Sequence, residues 1–125
     1  MRLMEKSGTI LVVDDDSSVR DSLSAMLDLL GWSVEASSSG QDAVTRLRDG
    51  AASYSVVLLD ISLPDMSGLE VILELDRLNI DVPILLVSGG VSQPIPNSGR
   101  RRWLPKPFGS DQLQAELGRL LSDGS

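Results

Sequence analysis

Thr9-Ile10-Leu11-Val12-Val13-Asp14-Asp15-Asp16 joins a continuous, largely β-branched apolar run to three consecutive acids. A strand with one solvated face alternates apolar and polar residues; this one does not alternate, so it reads as covered on both faces, as in the middle of a parallel sheet. Ser55-Val56-Val57-Leu58-Leu59-Asp60 repeats the pattern, again ending in an acid. Between the two runs the period lengthens. Val19, Leu23, Met26, Leu27 and Leu30 recur at helical spacing from Ser17, and Gly31 follows as a stop. Trp32 to Ala36 reads as a second strand, and Gly40 to Arg48 as a short helix with Ala43, Val44 and Leu47 inward.

Beyond Asp60 comes a loop with Pro64, Asp65, Ser67 and Gly68, then a helix carrying Leu69, Val71, Ile72, Leu75 and Leu78. Val82 to Val87 is a fourth strand, with Pro83 near its start where a missing N–H is tolerated. Arg101 to Leu104 makes a fifth. Ser110 is the expected N-cap of a last helix whose apolar face is Leu113, Leu117, Leu120 and Leu121, and the tail Ser122 to Ser125 is expected to fray. Strands alternating with helices predict an α/β fold with a doubly wound, five-stranded parallel sheet, the strands at 9–13 and 55–59 central. Residues 1–125 fit a single domain, with an ordered core of about 8–121.

Composition narrows the chemistry. A hydrophobic fraction of 42% supports a real core. The chain has no cysteine and no histidine, which removes disulfides, thiolate and imidazole metal ligands and histidine-based triads. Oxygen ligands remain, and these select hard cations such as Mg²⁺, Mn²⁺ or Ca²⁺. The net charge of −7 argues against direct binding to nucleic acid. The basic run Arg100-Arg101-Arg102 reads first as a solvated loop, with local docking as the alternative. The first residues carry no signal-peptide pattern, and no apolar run approaches the roughly 20 residues that cross a bilayer, so a cytoplasmic location without membrane insertion is expected.

In a doubly wound sheet, functional groups collect beyond the carboxyl ends of the strands. The first strand ends in Asp14-Asp15-Asp16, the third in Asp60 and the fourth in Ser88. If these strands are neighbours, several carboxylates converge. Two like charges about 4 Å apart repel by roughly 4 kcal/mol at an effective dielectric near 20, so a counter-charge is required. A divalent cation is one. Lys106, held between Pro105 and Pro107 just after the fifth strand, is another. Asp16 alone reads as a helix cap.

Val12-Val13-Asp14-Asp15, Leu58-Leu59-Asp60 with Pro64-Asp65-Met66-Ser67-Gly68, Val87-Ser88-Gly89 and Lys106-Pro107-Phe108 together resemble the signature of bacterial response-regulator receiver domains, from about Thr9 to Leu121. The resemblance implies a flavodoxin-like receiver fold and a phosphoacceptor switch of a two-component system. Such a switch catalyses only its own phosphorylation and dephosphorylation and is not a turnover enzyme. Asp60 would accept a phosphoryl group from a histidine kinase or phosphotransfer protein. Mg²⁺, with Mn²⁺ as an alternative, would be held by Asp15, Asp60 and the backbone carbonyl of Ser62, with Asp14 acting through water. Lys106 would pair with the phosphoryl oxygens, and Ser88 would supply the switch hydroxyl. Trp103 falls where the family carries a switch aromatic, or else it is simply packed in the core. The downstream protein is unspecified, and a homodimer is left open.

One segment departs from the family. Gly89 to Gly99 holds Gly89, Gly90, Pro94 and Pro96 where receivers carry a fourth helix, and it is a few residues short, so that helix is expected to be absent or irregular. This keeps a second reading in view, a pseudo-receiver that binds partners without phosphate. A third is a haloacid-dehalogenase-like phosphatase using Asp14 and Asp16 in an Asp-x-Asp pattern.

Overall fold

In the computed structural model, which describes residues 8–90 and 92–123, five strands run parallel: β1 (Thr9–Val13), β2 (Ser33–Ser37), β3 (Val56–Asp60), β4 (Ile84–Ser88) and β5 (Arg101–Pro105). They are ordered β2-β1-β3-β4-β5. Four helices connect and close the sheet: α1 (Ser17–Leu29), α2 (Gly40–Gly50), α3 (Gly68–Arg77) and α4 (Ser110–Asp123). The chain winds outward to β2 and then back across β1 to β3, so the strand order reverses between β1 and β3. Val13 lies opposite Leu59 in that pairing, which brings the residues following both strands to one edge of the sheet.

The continuous apolar strands make two cores. Leu11, Val13, Val57, Leu59, Ile84 and Leu86 face Ala43, Val44 and Leu47 of α2 and Val71, Ile72 and Leu75 of α3. Ile10, Val12, Val56, Leu58, Leu85 and Val87 face Leu23 and Leu27 of α1 and Leu113, Leu117 and Leu120 of α4. Period-two strands feed both layers, which is why β1, β3 and β4 show no polar face.

The helix ends follow local chemistry. Asp16 caps α1 by accepting from the Ser18 amide at 2.9 Å. Ser67 and Glu70 form a reciprocal capping box on α3. Gly31 (φ 96°) ends α1 and Asn79 (φ 58°) ends α3, each in the left-handed conformation that stops a helix. Ser110 is not the cap of α4. The Gly109 carbonyl accepts from Leu113 N–H, and Gln112 Oε1 accepts from Gly109 N–H at 2.8 Å, so Gly109 holds the cap and Ser110 begins the helix. The apolar face of α4 is also narrower than expected, since Leu121 is 39% exposed. The expected tail divides: Ser122 and Asp123 complete α4, and residues 124–125 lie outside the described residues, as do residues 1–7 at the other end.

No helix forms among the described residues between β4 and β5. Ile95 packs on the α2–α3 core in its place. The edge of β5 is satisfied by side chains: Asn97 Oδ1 accepts from Trp103 N–H at 2.9 Å and Ser98 Oγ from Arg101 N–H at 3.1 Å. The basic run is not a solvated loop. Arg101 and Arg102 belong to β5, and the three arginines pair with Asp81, Asp76 and Glu116 in turn. Its charge is consumed within the fold. No described helix is long and apolar enough to cross a membrane.

Candidate functional site

The tips of β1 and β3 carry the acids. Asp14 is 3% exposed, and its backbone N–H, its carbonyl and one carboxylate oxygen are each hydrogen-bonded. Its N–H donates to the Ser37 carbonyl at 3.0 Å, its Oδ1 accepts from Asp16 N–H at 2.9 Å, and its carbonyl accepts from Arg20 Nη1 at 2.7 Å. Asp60, the last residue of β3, is 5% exposed. Asp15 projects to solvent. Carboxylate oxygens of Asp14, Asp15 and Asp60 lie within 4.8 Å of one another. Lys106 Nζ stands 3.2 Å from Asp60 Oδ1 and 3.9 Å from Asp14 Oδ2, and its backbone N–H donates to the Ser88 carbonyl at 2.8 Å. The Lys106–Pro107 peptide is cis.

Three acids and one lysine leave the pocket under-neutralised. Burial pushes the Asp14 carboxyl above its ordinary range, and the neighbouring Asp60 and Asp15 charges push the same way, against the Asp16 amide and Lys106. A cluster of three carboxylates, without nitrogen or sulfur donors, has the composition a hard divalent cation selects. Asp16 takes no part in it. Its carboxylate is engaged by the Ser18 amide and hydroxyl, which hold it below the usual carboxylate range.

Ser88 closes β4 beside the acids and is 5% exposed. Its Oγ accepts from the indole Nε1 of Trp103 at 2.9 Å. Trp103 is half-buried and belongs to neither core cluster; its ring N–H is aimed at the strand-end hydroxyl. Gly89 and Gly90 are exposed, and a Cβ at either would meet nothing within 4 Å, so the approach past Ser88 is open. Ser62 is exposed in the loop after β3.

That loop is braced from behind. Gly68 N–H donates to the Ile61 carbonyl at 2.8 Å. Asp65 accepts from the Gly40 and Gln41 amides at 2.9 and 2.8 Å, reaching across to the start of α2. Those two amides hold the Asp65 carboxyl below its ordinary range. Replacing Asp65 with alanine is expected to cost about 1 kcal/mol of stability at neutral pH by stranding two N-terminal amides. Because the folded-state pKa is lowered, the contribution is present above the unfolded value of about 3.9 and is lost as pH falls through the folded value. Urea denaturation of both proteins at pH 7 and near pH 3 should therefore show the gap narrowing in acid. A gap that widens in acid removes the brace.

Sequence reading did not single out Arg20, or Asp65 as a brace. Both act on backbone groups, which leave no trace in residue spacing.

A family model described as the response regulator receiver domain matches residues 10–118. The response regulator MprA of Mycolicibacterium vanbaalenii is 37% identical over 116 residues, covering 90% of this chain and 49% of that protein. The chain thus spans about half the length of the curated relatives it matches; MprA of Mycobacterium avium, at 36% identity, gives the same proportion, 50%. Among solved structures, the response regulator TrrA of Thermotoga maritima in complex with Mg²⁺-BeF superposes with a TM-score of 0.79 at 30% identity, over 91% of this chain and 99% of TrrA. The receiver domain of a sensor histidine kinase from Pseudomonas aeruginosa, with magnesium coordinated in its active-site cleft, gives 0.81 at 26% identity, over 93% and 98% of the two chains. A match that begins in the first buried strand and ends in the last helix shows that the chain belongs to the family of response regulator receiver domains of two-component systems.

Proposed function

We propose that residues 8–121 form one receiver domain acting as a phosphoacceptor switch, with Asp60 as the acceptor and a histidine kinase or phosphotransfer protein as the donor. The observation that carries this reading is the convergence of three carboxylates within 4.8 Å, with Lys106 Nζ 3.2 Å from Asp60. One Asp60 oxygen forms a bond to phosphorus as the bond from phosphorus to the donor's imidazole nitrogen breaks, its electron pair returning to that nitrogen. Asp15, Asp60 and the Ser62 carbonyl would hold Mg²⁺ or Mn²⁺, with Asp14 acting through water. That cation supplies neutralising charge at the phosphoryl oxygens. Lys106, 3.2 Å from Asp60, would add its own positive charge to the same oxygens.

The switch is assigned to Ser88 and Trp103. A phosphoryl group on Asp60 brings new acceptor oxygens, and the Ser88 hydroxyl turns to them, leaving the indole N–H. The control of a downstream protein follows from that rearrangement.

Incubation with acetyl phosphate and Mg²⁺ tests the reading by intact mass. One added phosphoryl group is expected, with a shift of the Trp103 indole N–H proton resonance. Lys106→Ala should retain Mg²⁺ binding yet take up phosphoryl roughly 10²-fold more slowly. No added mass on the wild-type chain would favour the pseudo-receiver, which the lack of a helix among the described residues between β4 and β5 otherwise recommends. The phosphatase reading has lost its second acid, because Asp16 is committed to capping α1.

A further inference from the structure

Asp15 is the one acid of the cluster whose carboxylate no hydrogen bond or ion pair holds among the described residues, and it faces solvent. Its position therefore depends on its backbone. The peptide joining Asp14 to Asp15 is planar, so fixing the Asp14 carbonyl also fixes the direction in which the Asp15 Cα leaves. The group that fixes this carbonyl is the Arg20 guanidinium, at 2.7 Å.

Arg20 is well placed for this. It lies in the first turn of α1, where its own N–H donates to the Asp16 carbonyl at 3.0 Å. Asp16 in turn accepts from Ser18 N–H, and Asp14 Oδ1 accepts from Asp16 N–H. The acidic turn is thus a closed ring of bonds from Asp14 to Arg20 and back. The guanidinium presents a rigid, planar set of donors, so it can hold one carbonyl in one direction.

We propose that Arg20 is a positioning residue for the cation site: by holding the Asp14 carbonyl it sets the Asp15 carboxylate beside Asp60 and raises the affinity for a divalent cation. This rests on the switch reading above. Partners one step removed from a metal site typically change affinity by about 10–100-fold when lost.

The test is Mg²⁺ titration by calorimetry on the full chain, well below the melting transition, for wild type, Arg20→Met and Arg20→Lys, with melting temperatures measured in parallel. Methionine keeps the apolar stem and removes every donor; lysine restores a cationic donor group. Arg20→Met is expected to weaken Mg²⁺ binding by about tenfold, and Arg20→Lys to recover most of it. If Arg20→Met melts lower but binds Mg²⁺ like the wild type, Arg20 is merely structural and the proposal fails. If both variants weaken equally, holding the carbonyl is not the cause, and it fails again. Wild-type protein that binds Mg²⁺ and takes phosphoryl confines either failure to Arg20. Wild-type protein that does neither overturns the switch reading and this assignment together.

Discussion

Asp60→Asn is expected to abolish phosphoryl uptake and at the same time raise the melting temperature of the metal-free protein by about 5 °C. The first effect follows because an amide oxygen is a far poorer nucleophile than a carboxylate. The second follows from the sum of charges at the strand tips. Asp60 is almost fully buried, lies within 4.8 Å of Asp14 and Asp15, and has a single cation at 3.2 Å. Asparagine removes two repulsions and the desolvation of a buried charge. It loses one attraction, which Lys106 partly retains through Asp14 at 3.9 Å. The balance favours the variant by about 1–2 kcal/mol, since each close pair is worth a few kcal/mol before the terms cancel. Mg²⁺ should reverse the order. A cation held at one hundred times its Kd adds about 2.7 kcal/mol to the protein that binds it, and the variant lacks one of its ligands. Calorimetric melts with and without Mg²⁺ read both signs. A lower metal-free melting temperature for Asp60→Asn contradicts the crowding on which the site depends.

The strands were legible because continuous apolar runs have few alternatives in an α/β chain, and the acids at their ends could be brought together by topology alone. The lack of a helix among the described residues between β4 and β5 was equally legible, since Gly89, Gly90, Pro94 and Pro96 are poor helix formers together. What replaced it was not. Asn97 and Ser98 cover the edge of β5, and no pattern in the sequence announces which backbone N–H a side chain will meet. The arginine run was misread for a related reason. Asp76, Asp81 and Glu116 lie 14 to 25 residues from their partners, and only the fold places α3, α4 and the approach to β4 along the flank of β5. Ser110 and Leu121 missed by smaller margins, because a glycine with a glutamine three residues on can cap a helix as well as a serine does. The site shows the same division. That Asp14, Asp15, Asp60 and Lys106 lie together followed from their residue types at the strand ends. The bond from Trp103 to Ser88 and the hold of Arg20 on Asp14 required coordinates.

Gly68→Ala should lower stability by about 2 kcal/mol, although helix propensity alone favours alanine by about 1 kcal/mol. Gly68 opens α3 directly behind Asp60. A Cβ there would lie 2.7 Å from the Asp60 carbonyl oxygen, 2.9 Å from Ile61 Cα and 3.0 Å from Leu86 Cδ1. The first two are backbone atoms with little freedom to yield. Asp60 pairs with Val87 across the sheet, and Ile61 N–H donates to the Val87 carbonyl at 3.0 Å. The strain must then push α3 outward or tilt the tip of β3. Moving α3 opens the core around Val71 and Leu75, and moving the tip displaces the Asp60 carboxylate from Lys106. Either route costs more than the helix gains, and the second also slows phosphoryl uptake. Gly118→Ala is the matched control. Gly118 lies within α4, is exposed, and its Cβ would meet nothing within 4 Å, so that variant should gain about 0.5–1 kcal/mol. Two glycine-to-alanine changes in helices of one chain are thus expected to have opposite signs in urea denaturation. If Gly68→Ala proves as stabilising as Gly118→Ala, the wall behind Asp60 is compliant, and the position of the Asp60 carboxylate cannot be attributed to close contact with α3.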